Sequence, residues 1–392
     1  MSDLRIAYFG SSSAVDGGSE LCLLRMAKYF HEKAQVTVFL PDEGPLHQEL
    51  ASIGVDVVSL DFLRLRRYSG LGWLRWYQSV WSARRRLARE LKARQIDLIH
   101  FNDVIDLPYY SVPQTLGIPA LAHLRLILAS SFARKVYRHF VQRSGVTILA
   151  VSQAAKEAML GVETKNPNRI VYDPGPSQER FHPCSNDELE ERSRLRKSVG
   201  FDDHHFVIVM VSKLLENKGH FNFIKVASLL AEKYSNKYRF LMVAAPAPGR
   251  ESYQQEVMKS AQSLPAGTFE WIPGATNEEV GNWLRASDLF LHLPDTADSF
   301  PGVVVEAMSC RIPVVAYNVG GIPEQLDEGR AGMLIQPQDF PSAAQAIDSL
   351  RTDAEKRIIL TSAAMDRVDN EFSAEKHFKT LSGIYEKTCR VG

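Results

Sequence analysis

The chain has 392 residues, 45% apolar and 23% charged, and its 46 Lys/Arg balance 46 Asp/Glu. That length exceeds one ordinary domain and suits two, and the composition excludes a collagenous, disordered or disulfide-scaffold protein. No apolar run approaches the roughly 18 residues of a membrane span, and the N-terminus MSDLRIAYFGSSS lacks the basic-then-apolar order of a signal peptide, so a cytoplasmic location is expected. The four cysteines, Cys22, Cys184, Cys310 and Cys389, stand at neither metal-ligand nor CxxC spacing and read as free thiols. Charge is uneven along the chain. Up to Cys184 there are 23 Lys/Arg against 17 Asp/Glu, and beyond it 23 against 29, as if two domains met different partners.

The first predicted element is LRIAYFG (Leu4 to Gly10), a buried strand. GGSELCLLRMAKYFHEK follows as a helix and QVTVFLP as a strand, and then DLIHFND, PALAHLR and TILAVSQ read as strands with helical sequence between them. This βαβα order predicts a parallel sheet covered on both faces. Pro176–Ser198, polar and proline-bearing, reads as a linker plus an acidic helix. The strand pattern then restarts with HFVIVMVSKL, YRFLMVAA, TFEWIPG, LFLHLP, IPVVAYN and GMLIQP. The expectation is two doubly wound, Rossmann-like α/β domains with a cleft between them. Boundaries are placed at 1–183 and 184–372, and the helical residues 373–392 close the chain. Ligands of open α/β sheets bind beyond the carboxyl ends of the strands, so chemistry is sought in the loops there.

Four such loops stand out. In DSFPGVVVEAM, Asp298 and Glu306 are separated by seven uncharged residues. They could be an acid/base pair, two surface carboxylates or two grips on one ligand. Gly302 and VVVEAM read as a helix opening whose free N–H groups favour an anion. Asp298 then lies in the loop and Glu306 about one turn into the helix, which is not the opposed pair of a glycosidase. In NVGGIPEQL, Gly320 and Gly321 permit close backbone approach and Pro323 suits a first turn. A mere turn is the plainer reading. In VSKLLENKGH, Lys213 and Lys218 lie five apart at a sheet mouth and suit a diphosphate, against the plainer reading of two solvated lysines. In SSSAVDGGSE, Gly17 and Gly18 make an anion-tolerant loop into a helix, without the GxGxxG spacing of a dinucleotide site.

Together these loops resemble the group 1, or family 4, retaining glycosyltransferases of the GT-B fold. DSFPGVVVEAMSCRIPVVAYNVGGIPEQLDEGRAGMLIQPQD looks like the family's E-x7-E segment and G-G-x-P-E turn. GGSE resembles its GG-A-E loop, VSKLLENKG its G-R-L-x-x-x-K-G, and IVYDPGPSQERFHP its I-P-N-G-V-D-x-x-x-F-x-P segment. FSAEKHFKTLSGIYEK resembles a closing helix that crosses back onto the first domain. The chain departs from the pattern at Asp298 for Glu, at Lys213 for Arg (which loses the bidentate fork), at YDPGPS, and at Arg311 where a small Gly is usual.

The resemblance implies a hexosyltransferase that retains configuration and moves a sugar from a nucleotide diphosphate, UDP rather than GDP, to a hydroxyl acceptor in glycan, glycolipid or polysaccharide synthesis. It implies no metal and no cofactor beyond the nucleotide sugar. Lys213 and Lys218 would hold the diphosphate, helped by backbone amides at Gly302 and Val303. Glu306 would take the ribose and Asp298 the sugar hydroxyls. Phe300, Gly17 and Gly18 complete the donor set. His123 would lie close to the transferred sugar, with Asp298 and Lys218 as its catalytic companions, and Arg125 and Asn102 are candidate acceptor or sugar contacts. A phosphorylase or nucleotide-sugar hydrolase or epimerase on the same fold is the alternative enzyme, and a GT-B-like binding protein without turnover the alternative of another class. The base, the sugar, the linkage and the oligomeric state leave no trace in residue types.

In Leu63–Arg94 a stripe of Trp73, Trp76, Tyr77, Val80, Trp81, Leu87, Ala88 and Leu91 recurs at helical spacing while arginines crowd the other face. From Leu107 to Lys156 there is no acidic residue. The plainer reading packs the stripe against the domain's own sheet. The basic surface as a whole suggests an anionic or lipid-linked acceptor, or the inner face of a membrane, and not nucleic acid, for which no recognition motif is present.

Overall fold

The computed structural model describes residues 3–15, 17–63, 71–162, 168–234 and 236–391. The chain divides into two compact units, Met1–Pro174 with Glu375–Gly392, and Gly175–Ala374. The division falls before the 183/184 boundary that composition suggested. The polar segment read as a linker belongs to the second unit because its cations are tied there. Arg192 and Arg196 both pair with Asp288, at 2.6 and 2.8 Å, and the Arg196 Nε donates to the Ala286 carbonyl at 2.7 Å.

The first unit carries strands β1 (Arg5–Phe9), β2 (Gln35–Leu40), β3 (Asp56–Ser59), β4 (Leu98–Phe101), β5 (Ala120–Leu124), β6 (Thr147–Ala150) and β7 (Asn168–Ile170). They form one parallel sheet in the order β3-β2-β1-β4-β5-β6-β7. Apolar side chains at alternate positions (Ile6, Tyr8, Leu98, Leu121, Leu149) share one face, and the helix Gly18–His31 packs on it through Leu23, Met26 and Phe30. The last helix, Ala374–Val391, returns to the same face with Phe378, Leu381, Ile384 and Tyr385.

The second unit carries β8 (Phe206–Lys213), β9 (Tyr238–Ala245), β10 (Phe269–Ile272), β11 (Leu289–His292), β12 (Val314–Tyr317) and β13 (Met333–Ile335), all parallel in the order β10-β9-β8-β11-β12-β13. Each unit is therefore doubly wound. The direction of winding reverses between β1 and β4 in the first and between β8 and β11 in the second, and the loops leaving such a switch point diverge and leave room for a ligand.

The stripe follows its plainer reading only in part. In the helix Gly72–Ala93, Val80, Ala83, Leu87 and Leu91 are buried, but Leu74 (54%), Tyr77 (64%) and Trp81 (50%) are half exposed or more. Packing against the unit takes the second half of the helix, half-buries Trp76 and leaves Leu74, Tyr77 and Trp81 outward. Arg64, Arg66 and Arg67 of the same basic stretch lie outside the described residues.

Arg311 supplies a stability prediction. It follows the helix Gly302–Ser309 at φ +56°, where its N–H bonds to the Met308 carbonyl and the Ile312 N–H to that of Ala307. This is a Schellman ending whose left-handed position suits glycine. Arg311→Gly is expected to stabilise the protein by about 1 kcal/mol, read as a later chemical-denaturation midpoint. An earlier midpoint would contradict it.

Candidate active site

In the second unit β8 delivers Lys213 as its last residue. The chain then makes one 3-10 turn, Glu216–Lys218, and enters the helix His220–Lys233 through Gly219 at φ +79°. Only glycine fits there. A Cβ would stand 1.8 Å from the carbonyl oxygen of Leu293, just past β11, so the turn lies directly on the neighbouring strand end. Hydrogen bonds brace the two loops. Asn222 Nδ2 donates to the Leu293 carbonyl at 2.9 Å and to Asp295 at 2.8 Å, and the Asp295 N–H donates to the Asn217 carbonyl at 3.1 Å. Sequence reasoning missed Asn222 and Asp295, whose only signal is a polar residue at an otherwise apolar helix start.

The brace brings Lys218 to Asp298. Nζ and Oδ2 are 2.9 Å apart and both side chains keep about a quarter of their surface exposed. Burial alone would raise the Asp298 pKa, but the charge and hydrogen bond of Lys218, with His292, outweigh it and hold the carboxyl below its ordinary value. His292, the last residue of β11, is pulled down to about 4, chiefly by burial. At neutral pH it is therefore an uncharged imidazole near an ion pair. It too was missed, since a histidine in LFLHLP reads as core. The Gly320–Gly321 turn after β12 does more than reverse the chain. The Gly321 N–H donates to the Asp298 carbonyl at 2.9 Å, and Gly320 lies so close that a Cβ would stand 2.0 Å from that oxygen.

The helix Gly302–Ser309 begins just beyond, with Pro301 as its N-cap and no capping side chain. Gly302 is exposed and Val303 partly so, and a helix start without a cap is suited to an anion. Glu306 lies one turn on, half-buried. Phe300 differs from the rest of the expected donor set. The residue is 8% exposed and its ring meets that of Phe372 edge-on, with centroids 5.4 Å apart, so the ring packs within the unit.

In the first unit, Gly17 caps the helix Gly18–His31 without a side chain. Asn102, first past β4, takes its place across the switch point. Its N–H donates to the Phe9 carbonyl at 2.9 Å and its Nδ2 to the Ser19 carbonyl at 2.8 Å. Arg125, first past β5, donates Nη1 to the Asn102 carbonyl and Oδ1 at 2.7 and 2.6 Å and pairs with Asp173 at 2.9 Å. Burial opposes the Arg125 charge, but Asp173 outweighs it and holds the guanidinium ionised. Asn102, Arg125 and the glycine turn are thus one constellation.

The His123 side chain hydrogen-bonds elsewhere, although the Arg125 charge reaches it and, after burial, lowers its pKa. It lies inside β5 on the same face as Leu121, fully buried, with Nδ1 2.8 Å from His100 Nε2. Side chains alternate along a strand, so His123 shares its face with Leu121 and with Arg125, which follows the strand end. Next to Asn102, burial raises Asp103 to about 6 and Asp106 well above its ordinary value, and Ser11 donates to the Asp106 carboxylate. Among the described residues, the one grouping of metal-ligating side chains is Asp202, His204 and His205, just before β8 and so at the opposite end of that strand from Lys213.

The buried histidines carry a pH prediction. His292 in one unit and His377 in the other are both pulled to about 4, burial first. Below the ordinary value of 6.5 the unfolded chain binds these protons and the folded chain does not. Stability is therefore complete above that value and is lost as pH falls toward 4, by up to about 3 kcal/mol for each histidine. Urea midpoints should be lower at pH 5 than at pH 7. Equal midpoints would count against neutral buried imidazoles.

Two doubly wound units with charged strand-end loops at their switch points define the GT-B class. Residues 191–367 match the family described as Glycosyl transferases group 1, and residues 16–172 match Glycosyltransferase Family 4. The chain belongs to the group 1, family 4 glycosyltransferases. It is similar to the D-inositol 3-phosphate glycosyltransferase of Corynebacterium kroppenstedtii, at 28% identity over 66% of this chain and 57% of that protein, and to that of Rhodococcus opacus, at 28% over 56% and 48%. The chain thus spans about half the length of these curated relatives. In fold it is similar to Anabaena Alr3699/HepE in complex with UDP, with a TM-score of 0.82 at 22% identity over 98% of this chain and 100% of that one. A glycosyltransferase from Rickettsia africae gives 0.79 at 17% identity over 98% of each chain. No helix among the described residues is long and apolar enough to cross a membrane.

Proposed function

We propose that this chain is a retaining, metal-independent hexosyltransferase that takes its sugar from a UDP-sugar and passes it to a hydroxyl acceptor. The observation that carries the proposal is the Lys218–Asp298 pair beside an uncapped helix start at the switch point of the second unit. A leaving diphosphate needs positive charge as the glycosidic bond breaks. Lys213, Lys218 and the amides of Gly302 and Val303 supply it, as a divalent ion would elsewhere. Asp298 is assigned to sugar hydroxyls and Glu306 to the ribose. On the first unit, Gly17, Gly18, Asn102 and Arg125 are assigned to the transferred sugar and the acceptor, and the role expected of His123 passes to Arg125. Retention then follows from attack on the face the diphosphate leaves, with a donor phosphate oxygen taking the acceptor proton.

UDP is preferred because HepE is described in complex with UDP and with UDP-glucose. The names of the curated relatives make inositol 3-phosphate the first acceptor to try. Thermal shift with UDP, GDP, ADP and their sugars, followed by assay of released nucleotide with and without acceptor, tests the proposal. Tight binding without release or transfer would make the chain a binding protein, and phosphate-dependent cleavage a phosphorylase.

A second proposal is peripheral attachment to an anionic membrane, on the cytoplasmic side. Leu74, Tyr77 and Trp81 face outward, with the Arg85 guanidinium 3.4 Å over the Trp81 ring, as in a basic amphipathic helix at a bilayer surface. Replacing Tyr77 and Trp81 by Ser is expected to lower binding to anionic vesicles about tenfold at low salt. Undiminished binding would contradict the attachment.

A further inference from the structure

A chain of buried polar side chains runs under the returning helix of the first unit. The Tyr8 and Tyr385 hydroxyls are 3.2 Å apart, Tyr385 Oη is 2.5 Å from His100 Nδ1, and His100 Nε2 is 2.8 Å from His123 Nδ1. Tyr8, His100 and His123 come from adjacent strands and Tyr385 from the helix Ala374–Val391. All four are wholly buried. Burial lowers both imidazoles and raises both phenols, so every member is neutral.

Neutrality makes the protons countable. A neutral imidazole has one N–H and one lone pair, and a phenol has one O–H. Two arrangements satisfy the three contacts. In one, Tyr8 donates to Tyr385, Tyr385 to His100 Nδ1, and His100 Nε2–H to His123 Nδ1, which leaves His123 with its proton on Nε2. In the other, every direction reverses and the Tyr8 hydroxyl proton has no acceptor among the described residues. Each arrangement leaves one buried donor without an acceptor among the described residues, His123 Nε2–H in the first and Tyr8 O–H in the second, so the choice falls to the neighbouring His377 ring, against whose bare nitrogen only the first sets a donor. His377, on the same returning helix, is set independently. Its Nδ1 is 2.7 Å from the Tyr172 carbonyl, which can only accept, so His377 carries its proton on Nδ1 and a lone pair on Nε2.

The His123 and His377 rings lie nearly parallel, 18° apart, with centroids at 6.2 Å, and the Nε2 atom of each is buried with no hydrogen-bond partner among the described residues. We propose that Tyr8, Tyr385 and His100 are positioning residues that fix His123 as a donor beside the acceptor His377, so that the pair receives one hydroxyl group. A hydroxyl both accepts and donates, as this pair of nitrogens requires, whereas a carboxylate or phosphate oxygen without a proton could satisfy only His123. Bound there, the hydroxyl would tie the returning helix to the sheet. The oxygen belongs either to water or to a polyol such as a sugar or inositol, and the inference stands apart from the glycosyltransferase assignment.

Nitrogen-15 NMR of the full chain labelled at histidine reads the tautomers directly. The His123 and His377 signals are assigned by comparison with His123→Gln and His377→Gln. The expected result is an N–H on Nε2 of His123 and on Nδ1 of His377 at pH 7. Tyr385→Phe should move the His123 proton to a mixture of sites, because His100 then loses its donor. Tyr8→Phe should leave it unmoved, since Tyr385 would still donate to His100. The proposal is overturned by a His123 proton on Nδ1, by an unchanged tautomer in Tyr385→Phe, or by a shifted one in Tyr8→Phe. UDP-glucose and myo-inositol, added separately, distinguish the sources. A change in both Nε2 resonances identifies a polyol hydroxyl, and an unchanged pair, each shifted as for a hydrogen-bonded nitrogen, identifies water. Nε2 shifts of non-bonded nitrogens in all three samples would also overturn it. A merely structural Tyr385 would lower stability without touching the tautomer.

Discussion

Lys218→Ala is expected to leave the protein folded and to lower sugar-transfer turnover by about a thousandfold. Lys218 carries charge to a strand end where, on the proposed function, a diphosphate leaves. Removing one preorganised group that stabilises developing negative charge costs about 100- to 1000-fold in turnover. The upper end is expected because the same change also releases Asp298, which Lys218 holds at 2.9 Å and keeps ionised. Folding should survive because the ammonium is partly exposed and the turn is fixed by Gly219, Asn217 and Asp295 through backbone contacts. Lys218→Arg should recover part of the loss, since charge matters more at this site than the shape of the head group, although the wider fork fits the turn less well. Turnover and donor KM, measured with circular dichroism on both variants, test this. Alanine within tenfold of the parent chain would remove Lys218 from the chemistry. Arginine no better than alanine would mean that position, not charge, is what Lys218 contributes.

Much of this site was legible before the structure, for a physical reason. In a parallel sheet the interior strands are covered on both faces and must be apolar, so their ends are marked by the first Lys, Asp or Gly after an apolar run. Lys213 ends β8, and Asn102 and Arg125 are the first residues past β4 and β5, whereas Asp298 stands six residues beyond β11 and was marked by the DSFPGVVVEAM pattern instead. The strand order, which gives each sheet its switch point among the described residues, came with the structure.

Features that depend on exact register or on contact between distant backbones were not legible. His123 is one residue short of the end of β5 and wholly buried, and nothing in its spacing shows that its ring would meet His100 on the neighbouring strand. The aromatic stripe of Gly72–Ala93 has helical spacing throughout, but spacing does not say how far along a helix the covering sheet extends. The polar run Pro176–Ser198 looks like a linker by composition. Its arginines find Asp288 only in the fold, about a hundred residues on. Gly320 and Gly321 read as a turn because glycine spacing carries no record of what the backbone approaches.

Gly320→Ala is therefore the most informative change outside the charged residues, with an expected stability loss of roughly 3 kcal/mol and turnover lowered about a hundredfold. Two effects combine. The residue sits at φ +59°, where a side chain costs about 1–2 kcal/mol. A Cβ would also stand 2.0 Å from the Asp298 carbonyl oxygen and 2.9 Å from its nitrogen, so one of the two backbones must shift. A shift of the Asp298 backbone would carry the carboxylate away from Lys218. Displacements near 1 Å at a reacting centre cost on the order of a hundredfold. Gly329→Ala separates the effects. It has the same backbone sign, φ +97°, but its Cβ would find nothing nearer than Leu334 at 4.0 Å. It should lose about 1 kcal/mol and little turnover. If Gly320→Ala lost stability yet kept full turnover at a temperature where it is folded, the glycine turn would not position Asp298. If both glycines lowered turnover alike, the effect would be one of stability and not of contact with Asp298.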